Sequence, residues 1–143
     1  MRELFSQASD NAKALAQLKK QLDQAPADEP GFTAYIGIVR AMGAREYFNP
    51  LKKLSAFQEG TALIEQAVAA APGNPEIRFV RFMRQQSAPA YLSYNSSLQD
   101  DYRLMLESVD IPEHRENLGD WLPKIINVLL KSELCTAQDR QRL

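Results

Sequence analysis

Apolar residues recurring at steps of three and four, cut at intervals by proline, constrain this chain more than any other feature. From residue 2 to about 24, Leu4, Ala8, Ala12, Leu15, Leu18 and Leu22 fall on one face of a helix. Lys13, Lys19, Lys20 and Asp23 lie mostly off that stripe. Pro26 and Pro30 then interrupt the pattern. A second helix is expected from Pro30 to about Ala44. Phe32, Tyr35, Ile36, Ile38, Val39 and Met42 form a wide apolar band there, with Ala34, Gly37 and Ala41 on much of the remaining surface. So little polar surface predicts a central helix covered on two sides, where small residues admit a neighbouring backbone.

A third helix fits between Asn49-Pro50 and Pro72. Asn49 supplies a capping oxygen and Pro50 suits the first turn, with Ser55 as a second candidate start. Phe57, Gly60, Thr61, Ile64, Ala67, Val68 and Ala71 share its apolar face; Gln58, Glu59, Glu65 and Gln66 share the other. A fourth helix spans about 75–86, with Phe79, Phe82 and Met83 opposed to Arg78, Arg81 and Arg84. Residues 87–96 are the longest irregular stretch. A fifth helix, about 97–108, is expected to be capped by Ser96 or Ser97. Asp110 to Glu113 has capping-box spacing and opens a short helix that Gly119 closes. Asp120 is the expected cap of the next helix, about 121–134, where Leu122, Ile125, Ile126 and Leu129 make a stripe. Residues 137–143 are polar and expected to fray.

The fold class is therefore all-α, a bundle or array of about six to seven helices, read as one domain over residues 1–143. Aromatic residues are only 8% of the chain, which leans away from a sheet protein. A chain of 143 residues hides roughly 70% of its unfolded surface and needs no disulfide or metal to fold.

Charge and cysteine content narrow the function. The formal net charge of −1 argues against a general nucleic-acid binder, which needs a basic excess. One cysteine, Cys135, cannot form an internal disulfide, and with the single His114 it falls short of a zinc set. No run of about 18 apolar residues is present, so no transmembrane segment is expected. The N-terminal residues have no apolar stretch of signal-peptide length. The expected compartment is cytoplasmic, or periplasmic or exported if a signal has been trimmed.

The run from Gly60 to Pro75 resembles the second helix of a tetratricopeptide repeat. That family places a small residue, a bulky one four later, an alanine three later and a proline five after that; here these are Gly60, Ile64, Ala67 and Pro72. Asn74, Pro75 and Glu76 resemble the entry to a following repeat, and Tyr35 and Gly37 stand for the aromatic and Leu-Gly positions of the first helix. The resemblance covers about residues 31–83. The connector around 45–54 is longer than the family's tight turn. As a whole the chain also resembles small bacterial helical proteins of unassigned function, which adds a fold and no activity. The repeat resemblance implies a protein or peptide partner held in a helical groove, with the first helix of the repeat lining the concave side. Tyr35, Arg40, Glu46 and Tyr47 are the groove candidates on that basis, with a role in satisfying polar groups at the helix exit as the alternative.

Arg78, Arg81 and Arg84 step by three and share one helix face. They would dock a carboxylate, a phosphate or an acidic segment, or else pair with Asp100, Asp101, Glu107 or Glu65. Tyr91 and Tyr94 would anchor a peptide or close the end of the bundle. His114 lacks a partner spacing for proton relay, and no carboxylate pair stands out as acid and base. Helix 121–134 would pack on the bundle, with a membrane surface or a homodimer contact as alternatives. The expected function is a non-enzymatic protein-binding or scaffold module without a cofactor. The alternative is a small-molecule or lipid carrier, with an apolar cavity between Phe32, Ile36, Phe57 and Phe79.

Overall fold

The computed structural model describes residues 1–8, 10–26 and 28–143. Among them there is no strand, and nine α-helices alternate with three short 3-10 turns. The chain is all-α. Its contacts divide it into two compact units, Met1–Pro72 and Gly73–Leu143. The stretch expected from its sequence to form a tetratricopeptide-like pair, about residues 31–83, spans this division.

The first unit holds α1 (Arg2–Ala8), α2 (Ala12–Asp23), α3 (Pro30–Met42), a 3-10 turn (Gly43–Glu46) and α4 (Pro50–Ala70). The sequence pattern predicts one helix over residues 2–24; the structure has two. The reason is Asn11, whose extended backbone and side-chain oxygen, accepting from the Lys13 and Ala14 N–H groups, start α2 afresh. Helix α3 follows the expectation of burial on two sides: Ala34, Tyr35, Gly37, Ile38, Val39 and Ala41 are all buried. Helix α4 starts at the Asn49-Pro50 pair, with Asn49 Oδ1 accepting from Leu51 N–H at 2.9 Å. Ser55 lies inside α4 and donates to Glu59 instead of capping a second start.

Gly37 and Gly60 explain how α3 and α4 meet. A Cβ placed on Gly60 would sit 2.5 Å from the Gly37 carbonyl oxygen and 2.7 Å from the Ala41 Cβ. A Cβ on Gly37 would sit 2.6 Å from the Gly60 carbonyl oxygen. The two helices thus run backbone against backbone, closer than ordinary side-chain packing allows. Ile64, fully buried, packs beside this contact.

The second unit holds α5 (Pro75–Ser87), a 3-10 turn (Ala90–Leu92), α6 (Leu98–Val109), α7 (Pro112–Leu118), a 3-10 turn (Gly119–Trp121), α8 (Leu122–Lys131) and α9 (Ala137–Arg142). Asn74 caps α5 through the Glu76 and Ile77 N–H groups. Phe79 meets Trp121 edge to face at 5.0 Å, and Phe82, Met105, Leu118, Ile125 and Leu129 are almost fully buried. Helix α8 turns Ile125 and Leu129 into the protein, as its stripe predicts.

Three expected caps are not made. Ser97 holds the cap position of α6 without a side-chain bond; its N–H donates to Gln85 Oε1 at 2.9 Å. Ile111, not Asp110, precedes α7, and Asp110 accepts from Arg142 instead. Trp121, not Asp120, precedes α8. Gly119 does close α7, at φ 50°, a conformation that suits glycine. The chain end is also ordered where fraying is expected. Thr136 and Asp139 form a reciprocal capping box for α9, and the Tyr102 hydroxyl donates to Asp139.

Candidate functional site

The arginine stripe of α5 is not a free cationic face. Asp101 of α6 is fully buried and accepts four hydrogen bonds: from Arg78 at 2.8 Å, from Arg81 twice at 2.8 and 2.7 Å, and from Gln85 at 2.8 Å. Arg81 is itself buried, and its fork grips both carboxylate oxygens. Gln85 is buried too and passes the network on to the Ser97 backbone. Of the alternatives for this stripe, pairing with Asp101 is realised for Arg78 and Arg81. Arg84 is half-buried and reaches Ser87 at 3.4 Å. The network joins α5 to the first turns of α6 inside the second unit. A buried carboxylate needs such saturation, because each ion taken from water costs several kcal/mol before pairing offsets it.

The four groove candidates part company. Tyr35 is buried, its ring edge-on to Phe5 at 5.3 Å, so it is core and lines no surface groove. Arg40 is the one exposed residue of α3 and lies 3.7 Å from Glu59 on α4. Glu46 lies 3.7 Å from Lys19 of α2. Tyr47 stands in solvent just beyond the 3-10 turn. Helical spacing aligns Arg40 with Ile36 and Phe32, both only half-buried, so α3 shows one partly exposed stripe, Phe32–Ile36–Arg40.

Sequence reasoning missed two features. The first is a ridge in the first unit: Phe48 is 101% exposed and Leu51 76%, flanked by Tyr47 and Leu54. Its signal was present in an aromatic pair directly before Asn-Pro, followed by Leu-Lys-Lys-Leu. The second is a cleft of about 570 Å³ in the second unit, between the 87–96 stretch and residues 131–134, lined by Gln86, Tyr94, Asn95, Lys131 and Glu133 among others. None of Phe32, Ile36, Phe57 or Phe79 lines it. Phe57 and Phe79 are themselves buried. Ser93, with φ 51°, holds a left-handed turn beside the cleft.

Tyr91 is exposed, Tyr94 half-buried and Tyr102 buried. Burial, with hydrogen bonds to Cys135 and Asp139, pushes the Tyr102 hydroxyl well above its ordinary value. Bonds from the Thr136 backbone and side chain hold the Asp139 carboxyl below the usual carboxylate range. His114 is half-buried, with Nδ1 enclosed and lacking a hydrogen-bond partner among the described residues. Among the described residues, no group of three or more His, Cys, Asp or Glu converges as a metal site. No described helix is long and apolar enough to cross a membrane.

Among the described residues, the fold is all-α, with a partly exposed stripe on α3 and an exposed apolar ridge at residues 47–54. Comparison with protein-family models, curated proteins and solved structures returned no match to this chain.

Proposed function

We propose that this chain is a non-enzymatic helical protein-binding or scaffold module that contacts a protein partner along the outer stripe of α3. The observation that carries the reading is that stripe: Phe32 and Ile36 half-buried and Arg40 exposed, four residues apart on α3. Two half-exposed apolar side chains and a cation at one end give the mixed contact that partner proteins use, with apolar anchors supplying affinity and a charge fixing register. The close Gly37–Gly60 contact holds α3 firmly on α4. A surface already rigid before binding loses little conformational freedom on association. Cytoplasmic location and a homodimer as one form of partner belong to the same reading.

The test is affinity capture from the native host with the intact chain and a Phe32→Ala, Arg40→Glu double variant. The reading expects a specific partner to be retained by the first and reduced about tenfold or more by the second, the loss that about 1.4 kcal/mol produces. Circular dichroism unchanged between the two would show that the fold survives. Full retention of every partner by the double variant would remove α3 as the contact surface.

A further inference from the structure

The ridge at residues 45–54 asks for a different occupant. Phe48 and Leu51 stand almost wholly in solvent, with Tyr47 45% and Leu54 39% exposed beside them. Large apolar side chains in so short a segment are unusual on a soluble surface unless something covers them. Leu51 and Leu54 lie three apart on the first turns of α4 and share a face. Asn49 and Pro50 fix the tip: the Asn49 side chain accepts from Leu51 N–H, and its carbonyl accepts from Lys53 N–H at 3.0 Å. The ridge is thus held ready before any contact.

Three cations frame it. Arg45, Lys52 and Lys53 are exposed, and no carboxylate of the described residues pairs with any of them. The one acid in the segment, Glu46, lies against Lys19. This local excess of positive charge stands in a chain whose net charge is −1. Cations set around a convex apolar tip match an anionic bilayer surface: lysine and arginine meet the headgroups while aromatic and aliphatic tips enter the acyl boundary. Shape favours the same occupant. A side chain as exposed as Phe48 has no walls of its own, so a protein partner would need a fitted pocket, whereas a fluid bilayer admits any convex apolar tip.

We propose that residues 45–54 are a peripheral membrane-docking element for anionic phospholipid surfaces, with Phe48 and Leu51 inserting and Arg45, Lys52 and Lys53 holding the headgroups. It is independent of the α3 surface proposed above and leaves the stripe free for a protein.

Vesicle sedimentation tests this directly, with the full chain against phosphatidylcholine vesicles and against mixed phosphatidylcholine–phosphatidylserine vesicles. The chain is expected to sediment with the anionic vesicles, far less with the neutral ones, and less again as salt is raised. Each cation near such a surface contributes about a fivefold gain in partition, so Lys52→Ala, Lys53→Ala should lose about thirtyfold. Phe48→Ala, Leu51→Ala should abolish sedimentation without changing circular dichroism, since both side chains are exposed. A Phe48→Trp variant should show a blue shift of its emission on addition of anionic vesicles alone. No sedimentation with anionic vesicles overturns the proposal, as does sedimentation unaffected by the Phe48/Leu51 pair. No vesicle binding by the unmodified chain, together with loss of a captured protein in the Phe48/Leu51 variant, would overturn it in favour of a protein contact at the ridge.

Discussion

Two residues show how differently single side chains are constrained here. Gly60 has no room for even a methyl group, because the backbone of α3 lies 2.5 Å from where its Cβ would stand. Gly60→Ala gains about 1 kcal/mol of helix propensity and loses more to forced separation of the helices. The net expectation is a loss of about 1–3 kcal/mol in denaturant unfolding. Gly31 supplies the control, since nothing lies within 4 Å of its Cβ position; Gly31→Ala should be neutral or stabilise by up to about 1 kcal/mol. Asp101 is the opposite case, a charge fully out of water whose oxygens are both engaged. Asp101→Ala would leave Arg78 and Arg81 without their carboxylate and should cost about 3–5 kcal/mol, read as a lowered denaturation midpoint with an unchanged slope. A functional role for the stripe as an anion dock would instead leave stability nearly intact.

At the scale of elements, local chemistry was legible in the sequence and distant partners were not. Asn49-Pro50 and Asn74-Pro75 announce helix starts because cap and first turn lie within four residues of each other. Asn74→Ala should accordingly cost about 1 kcal/mol, measured by thermal or denaturant unfolding. The small-residue face of α3 also announced a close neighbour, and Gly60 supplied it. By contrast, the spacing of Arg78, Arg81 and Arg84 gives a face but not its surroundings, and Asp101 lies twenty residues beyond Arg81. Asp110 and Asp120 have the right spacing for caps and do not serve, because Arg142 competes for the first and a 3-10 turn ends in Trp121 at the second. The ridge was missed for a related reason: apolar residues next to a helix start look like core until their neighbours in space are known. Helix α9 adds a pH dependence. The Asp139 carboxyl is held below its ordinary value of 3.8 by the Thr136 bonds, so the charged form favours the capped helix. That contribution is present above about pH 3.8 and is lost as pH falls through the lowered value. The raised Tyr102 hydroxyl acts in the other direction: its neutral form is favoured, so its contribution is full below about pH 10 and declines in stronger base. Protection of the α9 amides, measured by NMR relative to the intrinsic exchange rate at each pH, should therefore fall at the acid extreme. Protection unchanged there would separate Asp139 from the docking of this helix.

For the whole molecule, two compact units each bury their own helices, and the stripe and the ridge proposed as contact surfaces both belong to the first. The apparent cationic site of the second unit is a structural network. Both proposed surfaces lie on the α3–α4 pair, where a close backbone contact supports an outer stripe on one helix and a projecting ridge before the other. The claim that α3 meets a protein is tested most directly by a photo-reactive residue placed at position 59, the α4 neighbour of Arg40, and another at exposed position 116 on α7, each irradiated in the native host. A covalent adduct with a distinct protein is expected from position 59 and none from position 116. Adducts from position 116 with none from position 59 would contradict that claim.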